Sequence, residues 1–167
     1  VQKEKPVIYF LTGHGEASPG SDSRSGYRRI KNALLEANYE VRDSLLLVSQ
    51  DVPEDCDLLI VPGPKTLMYP SEIEAIRSHF EGGRTAGLIL IDPGYRTGLE
   101  PVLESWSVVP NGDLVVETSN VGKALGMDFS MPAVATYAKH PVTEKHEGLM
   151  TVFQIAQSIG QRGTLPG

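Results

Sequence analysis

The chain has 167 residues, room for one core of sheet and helices, with a formal net charge of −6 and a pI near 5.2. That balance excludes an ordinary nucleic-acid surface, because phosphate neutralisation needs clustered Lys and Arg and the densest basic cluster is only Arg28, Arg29 and Lys31. No apolar run approaches the ~20 residues that a membrane helix requires, and no basic-then-apolar leader opens the chain.

Taken in order, Val7 to Leu11 reads as a buried strand that stops abruptly in Gly13-His14-Gly15-Glu16. Tyr27 to Ala37 places Ile30, Ala33, Leu34 and Ala37 at helical spacing, which predicts an apolar stripe against a sheet and a stop at Asn38. Glu40 to Leu47 and Leu58 to Val61 read as strands. A helix is expected after Tyr69-Pro70, with Ser71 as N-cap, Glu74 closing a capping box, Ile73, Ile76 and Phe80 facing inward, and Gly82-Gly83 as the stop. Ala86 to Ile91 is apolar on both faces, which predicts a central parallel strand covered on each side. Leu99 to Trp106 predicts a third helix with Leu99, Val102, Leu103 and Trp106 on one face. Beyond it the rhythm weakens: Leu114 to Val116 and Val134 to Tyr137 read as short strands, and Leu149 to Ile155 as strand or helix. This alternation predicts an α/β fold, a three-layer sandwich with a mostly parallel central sheet, as a single domain over residues 5–159. Residues 160–167 are expected to form a flexible tail. The start at Val1 without an initiator methionine suggests a piece of a longer protein.

Parallel strands deliver their following loops to one sheet edge, where ligands gather in α/β proteins. His14, Glu16, Lys65 and Asp92 should therefore share a rim able to hold a small polar ligand or to do acid–base work. The alternative is that the glycines and prolines only make turns while the charges face water. His140, in Tyr137-Ala138-Lys139-His140-Pro141-Val142-Thr143, is a further binding candidate, with a structural turn as its rival reading.

Several chemistries are excluded at this level. Gly13-His14-Gly15-Glu16 lacks the dinucleotide-binding register and carries a carboxylate that would repel phosphate, and Gly63-Pro64-Lys65-Thr66 lacks the earlier glycine of a phosphate loop. No cofactor is expected. No metal is expected either, since His14, Glu16, His140, His146 and Glu147 show no zinc-type spacing. No residue is assigned as catalytic, because the turn where a nucleophile elbow belongs reads Asp92-Pro93-Gly94, and proline has no amide for an oxyanion. The lone Cys56 lies between Asp55 and Asp57, neighbours that oppose a reactive thiolate.

Tyr9 to Glu16, Asn38-Tyr39-Glu40-Val41, Asp57 to Pro64, Glu81-Gly82-Gly83-Arg84, Asp92-Pro93, Trp106 and His140-Pro141-Val142-Thr143 occur in an order that resembles the auxiliary components of uncharacterised ABC-type transport systems. These include the gliding-motility-associated auxiliary proteins, whose domain is similar to one in an intraflagellar transport protein. The resemblance runs from about Lys5 to about Ile159, with Ser107 where relatives commonly have glycine. It implies a class I glutamine amidotransferase-like or flavodoxin-like fold. It also implies a non-catalytic, extracytoplasmic binding or scaffolding domain, anchored by membrane segments outside this chain and partnered by an ABC permease and ATPase. The rival expectation is a hydrolase or amidotransferase-like enzyme using His14, Glu16 and Asp92. A third is purely structural: homo-oligomerisation through an apolar patch at Met68-Tyr69 or at Met127 to Met131.

Overall fold

The computed structural model describes residues 5–48, 50–83, 86–118, 122, 126 and 128–163, in two compact units. The first holds a four-stranded parallel sheet in the order β2-β1-β3-β4, built from β1 (Val7–Leu11), β2 (Glu40–Leu45), β3 (Leu58–Pro62) and β4 (Ala86–Leu90). Three helices accompany it: α1 (Arg28–Glu36), α2 (Pro70–Glu81) and α3 (Glu100–Ser105). The α/β class and the parallel central sheet agree with the alternation of strand and helix signals in the sequence.

Strand periodicity sorts the core into two faces. Ile8, Phe10 and Ile60 point to one side, where Tyr27, Leu34 and Val41 close over them. Leu11, Leu59 and Val61 point to the other and meet Ile73, Ile76 and Phe80 of α2 and Val102 and Leu103 of α3. A bulge in the β1–β2 ladder, where Tyr9 pairs with Arg42 but Leu11 with Leu45, turns Leu45 to the α2 side although Val41 faces α1. Among the described residues no helix stands between β2 and β3. The connecting loop itself supplies Leu47, Val52 and Cys56 to the α2-side core, so it packs as a layer element.

Several local expectations are corrected. β4 is an edge strand and not a central one: its one partner in the sheet is β3, and Leu88 is 45% exposed because the small α1-side core does not extend that far. On the covered side Gly87 lies under the Phe80 ring, where a bulkier residue would not fit. α1 buries less than its stripe predicted. It meets the sheet along Tyr27 and Leu34, two turns apart, while Ile30, Ala33 and Ala37 stay exposed. Asn38 does end it, in a left-handed conformation at φ 68°. In α3, Leu99, Val102 and Leu103 are buried but Trp106 stands outside at 45% exposure, since it follows the last helical residue.

Cys56 is buried, and burial, with Asp55 next, pushes its thiol up to about 11. The native chain is accordingly expected to resist a thiol reagent such as dithionitrobenzoate at neutral pH and to react fully once unfolded in denaturant. Fast labelling of the folded chain would contradict this.

The second unit contains Asp92–Gly94 and Val109–Gln161. Its strands are short: β5 (Val108–Pro110) pairs with β8 (Ile159–Gln161), and β6 (Ala133–Val134) pairs antiparallel with β7 (Thr151–Val152). The strand expected at Leu114 to Val116 is irregular chain, and the one expected over Val134 to Tyr137 stops at Val134. Within Leu149 to Ile155 only Thr151 and Val152 are strand. Gly160 and Gln161, assigned to the tail, belong to β8, while residues 164–167 lie outside the described residues, as do Arg84 and Met127. Asn111 donates to Ser158, and Ser158 donates to Asp113 through both its amide and its hydroxyl, so loop side chains, and not apolar stripes, hold this region and it escapes periodicity. No described helix is long and apolar enough to cross a membrane.

Candidate functional site

The strand order makes the chain step from β1 to β2 on one side and then return to place β3 on the other side of β1. That reversal puts a topological switch point between the carboxyl ends of β1 and β3, the position at which open α/β sheets usually bind ligands. The loop after β1 and the loop after β3 meet there. His14 C=O accepts the amides of Lys65 at 2.7 Å and Thr66 at 3.2 Å, and Pro62 C=O accepts the Ala17 amide at 2.8 Å.

Two glycines make this approach feasible. Gly13 and Gly15 hold φ 121° and 81°, values that side chains rarely adopt. A Cβ would also lie 3.1 Å from Leu46 at Gly13 and 3.3 Å from Lys65 Cβ at Gly15.

Between the glycines, the His14 ring turns inward and is 6% exposed. Its Nδ1 lies 3.3 Å from Glu16 Oε1 and its Nε2 lies 3.0 Å from Glu72 Oε2. The Glu16 and Glu72 side chains are 2% and 0% exposed. Glu16 also accepts the His14 amide at 2.7 Å through Oε2, so one carboxylate binds backbone and ring together. Glu72 Oε2 serves a second donor too, the Tyr69 amide at 2.8 Å, which is an orphan N–H of the α2 start. Glu72 Oε1 is buried without a hydrogen-bond partner among the described residues. A Glu–His–Glu chain of hydrogen bonds therefore joins the β1 loop to the first turn of α2.

The sequence reading found His14 and Glu16 but not Glu72. It placed the cap at Ser71 and the box at Glu74, whereas the N-cap is Tyr69, Pro70 stands at the first helical position and Glu72 at the third. The signal was present: a proline favours the first turn, which sets the cap one residue before Pro70 and the box carboxylate at Glu72. Glu74 instead pairs with Arg77 on the solvent side.

Of the other predicted site residues, Lys65 adjoins this cluster through its backbone while its side chain is exposed. Asp92 and His140 belong to the second unit. Asp92 is exposed, and His140 Nδ1 accepts the Val142 amide at 3.2 Å within a turn that Thr143 completes by donating to Ala138 C=O at 2.7 Å. Among the described residues no group of three or more His, Cys, Asp or Glu could hold a metal ion.

No family model and no curated protein matches the chain. Among solved structures, the chain is similar to the mmIFT52 N-terminal domain, with a TM-score of 0.67 and 17% identity over 92% of this chain and 72% of that one. At that identity the likeness concerns the fold. It accords with the domain shared with an intraflagellar transport protein that the sequence motifs resemble.

Proposed function

We propose that the chain is a non-catalytic binding or scaffolding domain with a class I glutamine amidotransferase-like fold, serving as an extracytoplasmic part of an ABC-transporter auxiliary protein. The observation that carries the non-catalytic part is the state of His14. His14, at the switch point, is 6% exposed and has both ring nitrogens engaged by internal carboxylates. A general base must reach the proton it takes, and this ring faces inward. Asp92-Pro93-Gly94 after β4 offers neither a nucleophile of the serine or cysteine kind nor a full set of amides for an oxyanion. The transport context rests on the ordered motifs described above.

Two measurements test the reading. The purified chain is expected to hydrolyse chromogenic esters and amides no faster than buffer does, and turnover abolished by His14→Ala would overturn the non-catalytic assignment. The full-length protein, isolated from its own membranes in mild detergent, is expected to bring an ABC permease and ATPase with it; isolation without either would overturn the transport context.

A further inference from the structure

The two edges of the parallel sheet are built differently. β2 carries Glu40, Arg42 and Asp43, with Arg42 paired to Glu40 and Asp43 paired to Lys31 of α1. Charges of this kind keep an edge strand from pairing with another chain. β4 has no such guard: Ala86 to Ile91 contains no charged residue, and Ala86, Gly87 and Leu88 are exposed. Its bonds to β3 fix which backbone groups face outward. The Ala86 amide donates to Asp57 C=O at 3.0 Å and Leu90 C=O accepts the Gly63 amide at 3.1 Å, so Ala86, Leu88 and Leu90 turn their backbone groups to β3. Gly87 and Ile89 between them direct their N–H and C=O to the open side.

We infer that β4 is a dimerisation edge, at which two copies of the chain pair antiparallel about a twofold axis at Leu88 and join their four-stranded sheets into one. The inference goes beyond the proposed function and does not depend on it. This register is self-complementary. Gly87 of each copy falls opposite Ile89 of the other, and each such pair exchanges both of its N–H···O bonds, which satisfies the outward groups of both strands. Leu88 meets Leu88 as a closely spaced, non-hydrogen-bonded pair, and Ala86 meets Leu90, so apolar side chains cover a leucine that is 45% exposed in the single chain. The ends of the ladder agree as well. By sequence position Arg84 and Asp92 are equally far from Leu88, so the same register sets a cation against a carboxylate at each end. That match selects a second copy of this chain over an arbitrary strand, which would meet the backbone but not the charges. An in-register parallel pairing would oppose Arg84 to Arg84 and Asp92 to Asp92.

Sedimentation velocity over a concentration series tests the pairing. The purified chain is expected to pass from monomer to dimer as its concentration rises, and the Gly87 and Ile89 amides to exchange hydrogen more slowly in the dimer. Leu88→Lys, which sets like charges at the axis, should raise the dissociation constant at least about tenfold while the circular dichroism of the folded chain is retained. Asp92→Arg should weaken the dimer about threefold, and R84D/D92R should restore it. Leu88→Cys should form a disulfide-linked dimer on treatment with diamide, because the opposed Cα atoms of such a pair lie about 4.5 Å apart, within the span of a disulfide. Arg42→Cys, on the β2 edge, should cross-link far more slowly. A chain that stays monomeric at every concentration, even one that pairs with a foreign strand peptide, would overturn the inference. So would a dimer untouched by Leu88→Lys, cross-linking at Arg42→Cys as fast as at Leu88→Cys, or an Asp92→Arg loss that R84D/D92R does not restore.

Discussion

His14→Ala is expected to lower the unfolding free energy by roughly 3–5 kcal/mol, the cost of removing the shared partner of two buried carboxyl groups. The substitution leaves Glu16 and Glu72, 2% and 0% exposed, with acceptor oxygens and no ring between them. For a domain whose whole stability is on the order of 5–15 kcal/mol this is a large share. It should appear in urea denaturation as a lower midpoint with an unchanged slope. The double variant H14A/E72L should recover part of the loss, because no uncompensated carboxylate then faces the gap at Glu72. Recovery should stop about 1 kcal/mol short, since the Tyr69 amide loses its 2.8 Å acceptor at the α2 start. If His14→Ala instead left the midpoint unmoved, the cluster would not be holding the loop, and the imidazole would be free to act as a base.

Gly87→Ala carries the second large expectation. A Cβ on Gly87 would lie 2.6 Å from Phe80 Cζ and 2.7 Å from Cε1, closer than carbon atoms pack. The ring has little room to yield, since Phe80 is 6% exposed within the α2-side core. Overpacking of this kind costs typically about 1–3 kcal/mol. Because the obstacle is one side chain, Phe80→Leu should rescue: the double variant should be more stable than the sum of the two single losses predicts, by about 0.5–3 kcal/mol of coupling. Simple additivity in the denaturation series would show that the strand had shifted away from α2 and that the contact was not limiting.

How much was legible in the sequence varies with the range of the forces involved. β1 has the bounds its apolar run implied, and β3 and β4 differ from theirs by a residue, because a short run of branched residues flanked by Gly, Pro and Asp is a local signal. His14 and Glu16 were legible as a loop constellation for the same reason. Glu72 was missed through a one-step error in the cap, and that step separates a solvent carboxylate, Glu74, from a wholly buried one. In the second unit the order rests on contacts such as Asp113 with Ser158, far apart in the chain, for which apolar periodicity carries no mark.

The sequence by itself determined the α/β alternation, the inert character of Cys56 and the absence of a nucleophile at Asp92-Pro93-Gly94. Each follows from properties of neighbouring residues: periodicity, adjacent charge and the missing proline amide. Only the tertiary structure decided what Gly13-His14-Gly15-Glu16 does. Whether an imidazole between two glycines faces solvent or protein depends on what a helix nearly sixty residues later places beside it. Glu72 stands there at 3.0 Å and draws the ring inward. The same packing decided that β4 lies at the edge and that Leu67, Tyr69 and Tyr95 stay outside, because burial is settled by which surfaces are left after the sheet and its helices have closed.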